Sequence, residues 1–264
     1  LIMENNSLIS GNVYSNGPVQ GENSNLIKGD AVSAGLNGSV NGVHATGTVY
    51  SHNILNSVID KDAYYQTISN TAVAGVLYPE SPDQSPKNLS ISDETINQLE
   101  QSATTTVISS PCPYEIKLNI TLGPAKITCD VKISGSPVVT LTGTLWITGN
   151  LEAENTAVVR LASSLGLKSL AIIADNPANR LTSSKIILQN SAQFQNSGTE
   201  GSYILLISQN QSAESGGGEQ AIKVANSVQG EVLVYSGHGE ILLQNNVSLR
   251  EVSAYRIRLQ NTAE

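Results

Sequence analysis

Cysteine, histidine and carboxylate side chains carry much of the chemistry open to a protein, and in this 264-residue chain they are few and dispersed. Cys112 and Cys129 lie 17 residues apart, with no Cys-x-x-Cys pair and no histidine at metal-ligand spacing, which argues against a zinc site. They suit a disulfide. In a chain of stacked strands, residues about one coil apart sit on neighbouring strands roughly 4.8 Å apart, within reach of an S–S bond. Two free buried thiols are the alternative. A disulfide implies an oxidising compartment.

His44, His52 and His238 show no His-Glu-x-x-His or related metal spacing. His44 and His52 fall in repeated segments and read as exposed side chains; His238, inside Gly237-His238-Gly239, reads as a turn residue. No Gly-x-Ser-x-Gly accompanies them, so a nucleophile elbow is absent. Asp30, Asp60 and Asp62 come from neighbouring repeats and could line one face. Their oxygens suit Ca²⁺, but solvated turn residues explain them better, and no other cofactor is expected. Glu152, Glu154, Glu219 and Glu240 are too scattered to name as an acid/base pair. No catalytic residue is assigned.

Two further sets of residues recur. Tyr14, Tyr50, Tyr64 and Tyr78 occupy one position of an N-terminal repeat. Stacked, they make either a packed coil corner or a contact stripe, since tyrosine pairs an apolar ring with a polar hydroxyl. Asn190, Asn226, Asn245 and Asn261 each end an apolar strand-like run, at intervals of 36, 19 and 16 residues. These intervals suit two coils, one coil and one coil. Asparagine tolerates left-handed turn geometry, and asparagines stacked at one corner form an amide ladder.

The elements that position these residues are read from repeats. Gly11-Asn12-Val13-Tyr14, Gly29-Asp30-Ala31-Val32, Gly47-Thr48-Val49-Tyr50, Lys61-Asp62-Ala63-Tyr64 and Gly75-Val76-Leu77-Tyr78 recur every 18, 18, 14 and 14 residues. Each is a turn entering a short alternating strand. The spacing fits one coil of a β-helix and is too short for a strand–helix–strand unit. Later runs such as 138–142, 145–148, 170–173, 203–207 and 232–235 are strands as well. Only 92–103 reads as a helix: Ser92 caps it, Asp93 and Glu94 favour its first turn, and Ile96, Leu99 and Ala103 share a stripe. It should lie on a flank of the coils or cover an end.

The expected fold is therefore all-β: a single-stranded parallel β-helix, or β-solenoid, of right-handed type with one short helix. Residues 1–78 form N-terminal coils, 79–111 a Pro-rich connector with the helix, and 112–264 the C-terminal coils of one elongated domain. Composition agrees: 39% hydrophobic, 4% aromatic and 14% charged, an aliphatic core with small polar turns. A net charge of −8 argues against a nucleic-acid partner. Arg250, Arg256 and Arg258 read as solvated surface. No run of about 20 apolar residues occurs, so no membrane contact is expected within this stretch. The chain opens on Leu1 with no visible signal peptide and ends on a repeat-like segment. An open last coil is expected to continue or be covered by a partner.

Several stretches carry a resemblance: 9–15, 122–128, Leu141-Thr142-Gly143-Thr144-Leu145-Trp146-Ile147-Thr148-Gly149-Asn150, 171–175 and 252–257. Together they resemble the solenoid ectodomain of bacterial type IV pilus-associated proteins of the PilX-like kind. The resemblance implies an N-terminal prepilin helix, a segment this sequence lacks, and offers no catalytic residues. Such a helix would anchor the protein in a pilus or membrane; with the disulfide and the tyrosine stripe, the expected location is extracellular or cell-surface and the expected partners are pilus subunits, other surface proteins or glycans.

The leading functional reading is a non-catalytic structural and adhesive module of a cell-surface or pilus-associated protein. The alternatives are a polysaccharide-binding or polysaccharide-degrading β-helix enzyme and a bactofilin-like polymer-forming protein.

Overall fold

The computed structural model describes all residues, Leu1–Glu264. The chain is mostly short strands with one α-helix, α1 (Asp93–Ser102), and a 3₁₀ turn at Ser163–Leu165. Strand pairs with strand in parallel throughout, as one expects when a strand meets its counterpart one repeat later. The chain forms two compact units, Leu1–Asn88 with Arg258–Glu264, and Leu89–Ile257. The connector of the sequence reading is thus shared, 79–88 in the first unit and 89–111 in the second, and the last seven residues belong with the first.

In the first unit the repeats from Val13 and Ala31 supply three short strands each, and those from Val49 and Ala63 merge the first two into one strand of seven residues. One column runs Val13, Ala31, Val49, Ala63, Leu77, and beside it Tyr14, Val32, Tyr50, Tyr64, Tyr78. A second runs Val19, Val40, Ile54, and a third Ile27, Ala45, Ile59, Val73. Val49, Val40, Ile54, Ala45 and Ile27 are fully buried, so alternate residues of each strand build a dry aliphatic interior. The recurring glycine has a steric cause: a Cβ on Gly47 would lie 2.4 Å from both the Gly29 backbone and the Asp30 carboxylate.

The last strand does not stay open. Ile2 and Met3 pair in parallel with Arg258 and Leu259. The Leu8 amide donates to the Ala263 carbonyl at 2.9 Å. The chain's own first strands cover its last ones, because the two carry the same strand pattern.

In the second unit one column runs Ile116, Ile133, Ala153, Leu188, Val224, Leu243. An adjoining face runs Val107, Lys126, Trp146, Ile173, Ile207, Tyr235. Helix α1 lies on that face, with Ile96 packed among Ala171, Ile173, Ile207 and Tyr235. The runs 170–174 and 204–208 are apolar on both sides because the core takes one side and the helix the other. Ser92 caps α1 by accepting from the Thr95 amide at 3.2 Å. Burying Ile96 stabilises this docking by about 1.5–3 kcal/mol.

The repeat lengthens here. Asn226 hydrogen-bonds Asn190 directly although 36 residues separate them. One repeat, not two, spans that interval, because long loops at 196–203 and 209–219 interrupt its strands.

Candidate functional site

The tyrosine column is the most regular outward feature of the first unit. Tyr50 and Tyr64 stack with ring centroids 4.6 Å apart and planes 13° apart; Tyr64 and Tyr78 do so at 4.3 Å and 10°. The in-register parallel pairing of their strands sets that spacing. Loss of water around Tyr64, then the neighbouring hydroxyls of Tyr78 and Tyr50, raise its phenol pKa above the usual value. Tyr14 holds the same register position, but Val32 intervenes, and Tyr14 instead meets Lys87, whose Nζ lies 4.1 Å from the ring centroid. Three of the four expected tyrosines therefore form one stack, and the fourth stands apart.

The faces of these rings are turned on one another, so the column presents ring edges and hydroxyls outward. Only the two end faces of the stack, that of Tyr78 and that of Tyr50 toward Val32, have no ring stacked on them. Such a ledge suits mixed polar and apolar contact with a protein surface better than sugar stacking, which needs open ring faces.

Residues 81–88 return beside this column. Ser81 donates its amide to the Tyr65 carbonyl at 3.2 Å, Asp83 meets His52 Nδ1 at 3.0 Å, and Gly35 donates to the Gln84 carbonyl at 2.9 Å. Tyr14 donates its hydroxyl to the Ser85 carbonyl, and the Lys87 amide donates to Asn16 Oδ1 at 2.9 Å. Four repeats are thus bridged by one short segment. His52 is accordingly partly buried and paired rather than exposed, and His44 meets Asp60 at 3.2 Å.

The acidic residues considered for Ca²⁺ act within turns. Asp30 Oδ1 accepts the Thr48 amide and Asp62 Oδ1 the Val76 amide, each at 2.8 Å. No group of three or more His, Cys, Asp or Glu side chains gathers to hold a metal ion.

Asparagine side chains bond to one another in both units. Asn245 donates to Asn226 at 3.0 Å and Asn226 to Asn190 at 3.1 Å in the second unit. In the first, Asn5 donates to Asn261 at 3.1 Å and Asn23 to Asn5 at 3.2 Å. A further set, Asn70 to Asn56 to Asn41, escaped the sequence reading. Asn190, Asn226, Asn245 and Asn261 all have φ between 53° and 63°, the left-handed region that asparagine tolerates.

Cys112 and Cys129 form a disulfide, with Cα atoms 5.9 Å apart. Glu152 and Glu154 both meet Lys132 at 3.2 Å, Glu219 pairs with Lys185, and Glu240 with Arg256. Arg256 is therefore paired, and Arg258 has a buried Nε, contrary to the expectation of simple solvated arginines.

Two ionic clusters under α1 were not legible in advance. His238 lies inside the long strand Gln229–Gln244, not in a turn, and sits between Glu214 at 2.6 Å and Asp93 at 3.2 Å. Burial alone would lower its pKa; hydrogen bonds and charge from Asp93 and Glu214 outweigh that and raise it. Glu100 is buried on the helix's inner face. Desolvation, then the neighbouring Asp175 carboxylate, push its pKa up to about 8. Asp175, fully buried, accepts two hydrogen bonds from Arg180 at 2.7 Å. Both carboxyl groups are buried beneath the helix.

No protein-family model, curated protein or solved structure matches this chain. No helix is long and apolar enough to cross a membrane.

Proposed function

We propose that this chain is a β-solenoid that serves outside the cell as a non-catalytic structural and adhesive module, of the cell-surface or pilus-associated kind, with the tyrosine column as its protein-contact ridge. The stacked ledge of Tyr50, Tyr64 and Tyr78 carries the reading. It repeats at strand spacing, combines apolar edges with hydroxyls, and so offers a rigid contact strip at low entropic cost. The repeated parallel register supports a solenoid backbone for it. The Cys112–Cys129 disulfide supports an oxidising location.

The test is twofold. Antibody against the chain should label intact, unpermeabilised source cells. Beads coated with the protein should adhere to those cells, and Tyr50→Ala with Tyr78→Ala should abolish adhesion while circular dichroism stays unchanged. Undiminished adhesion by that folded variant would refute the ridge; absence of surface labelling would refute the location.

A further inference from the structure

The second unit carries an open groove of about 870 Å³ that crosses three successive strands. Its walls are polar: Gln193 and Gln195 on one strand, Gln229 and Glu231 on the next, Ser248 and Arg250 on the third. Gln193 stands in register with Gln229, and Phe194 with Gly230. Gly230 forms the floor. Its φ is +152°, and a Cβ there would lie 2.2 Å from the Phe194 carbonyl oxygen, so only glycine fits and the groove stays unfilled.

The groove's functional groups are arranged for an uncharged, hydroxyl-rich chain. Three side-chain amides each donate and accept. Glu231 adds an acceptor, and Arg250, 3.8 Å from Glu231, adds donors. The Arg250 guanidinium also lies 5.3 Å from the centre of the Tyr203 ring, a contact that helps to hold it in place. The strand Gln193–Gln195 is paired on both sides, with Val158–Arg160 and with Gln229–Gly230, so an added peptide strand finds no free backbone edge on it. One arginine paired with one glutamate gives no net attraction for a polyanion, in a chain of charge −8. Sugar hydroxyls, which both donate and accept, match the pair of amides that Gln193 and Gln229 set at strand spacing and the Gln195 amide beside them.

We propose that this groove binds a neutral linear oligosaccharide, lying across the three strands and held by Gln193, Gln229, Glu231 and Arg250. The site is separate from the tyrosine column and does not depend on it.

Titration calorimetry with cellohexaose, mannohexaose, chitohexaose and hexagalacturonate tests this. At least one neutral hexasaccharide should bind saturably. Gln229→Ala and Arg250→Ala should each weaken that binding about tenfold, as the loss of one or two hydrogen bonds implies, with unchanged melting curves. Tyr64→Ala should leave it intact. Failure of all three neutral probes, stronger binding of hexagalacturonate, or equal binding by a folded Gln229→Ala/Arg250→Ala double variant would each overturn the proposal.

Discussion

Met3 and Leu259 are register partners in adjacent parallel strands, although nearly the whole chain separates them in sequence. Met3 is fully buried and Leu259 almost so. Around them the Gln260 side chain donates to Glu4, the Glu4 amide donates to the Leu259 carbonyl, and Ser10 donates to Glu264. The first and last strands therefore share one piece of core. Leu259→Ala should cost about 2–4 kcal/mol. Chemical denaturation should show this as a lower midpoint, and hydrogen exchange should show Ile2–Met3 amides losing protection with it. Unchanged protection there would mean that the two ends do not pack as described.

Helix α1 should be held more tightly in mild acid than in alkali. Glu100 is protonated in the folded state up to about pH 8, against 4.5 for an ordinary glutamate. His238 is likewise raised above 6.5. Both groups bind a proton more strongly when folded. Their stabilising effect is thus complete at low pH and fades as pH rises, for Glu100 between about 4.5 and 8. Glu100→Gln should raise the melting temperature at pH 9 by several degrees and change little at pH 4. His238→Ala should lower it at pH 5.5 and have a smaller effect at pH 9. Thermal melts across that range decide both.

The disulfide closes a loop of 17 residues. Replacing both cysteines, Cys112→Ser with Cys129→Ser, should cost about 3 kcal/mol by the loop-closure relation. The melting temperature should fall by roughly 10 °C, and reductant should reproduce the drop in the native chain but add nothing to the double variant.

In the asparagine ladder, Asn226 both accepts and donates an amide hydrogen bond and has φ 60°. Asn226→Ala loses both bonds and strains the backbone; Asn226→Gly loses only the bonds. Alanine should therefore be the more destabilising change, by about 1 kcal/mol. Urea titration of the two variants makes the comparison, and a reversed order would show that the turn does not require a left-handed residue.

Legibility followed periodicity. The N-terminal repeats were plain because a Cβ on Gly29, Gly47 or Gly75 would meet the turn of the preceding repeat, although Lys61 takes the same place in one copy. The tyrosine register and the capped helix were readable for equally local reasons. What failed to show depended on distance. Glu100 lies on the same helical stripe as Ile96, yet nothing nearby in sequence announces that Asp175 and Arg180 meet it. His238 is flanked by glycines, a turn signal, but the surrounding strand pairing overrides local preference. The 36 residues from Asn190 to Asn226 look like two repeats in sequence because loops inserted within one repeat imitate an additional one.

The segment 81–88 has a mechanical consequence. Stacked strands that touch only their neighbours can fray one at a time from an edge. Here, detaching the edge strand Leu77–Pro79 drags on a tether fastened at Tyr65, His52, Gly35 and Asn16. Early peeling is thereby coupled to sites several repeats inward. Under a pulling force the unit should resist as a block and then yield in one large step, where an untied array would unzip in a staircase of small ones.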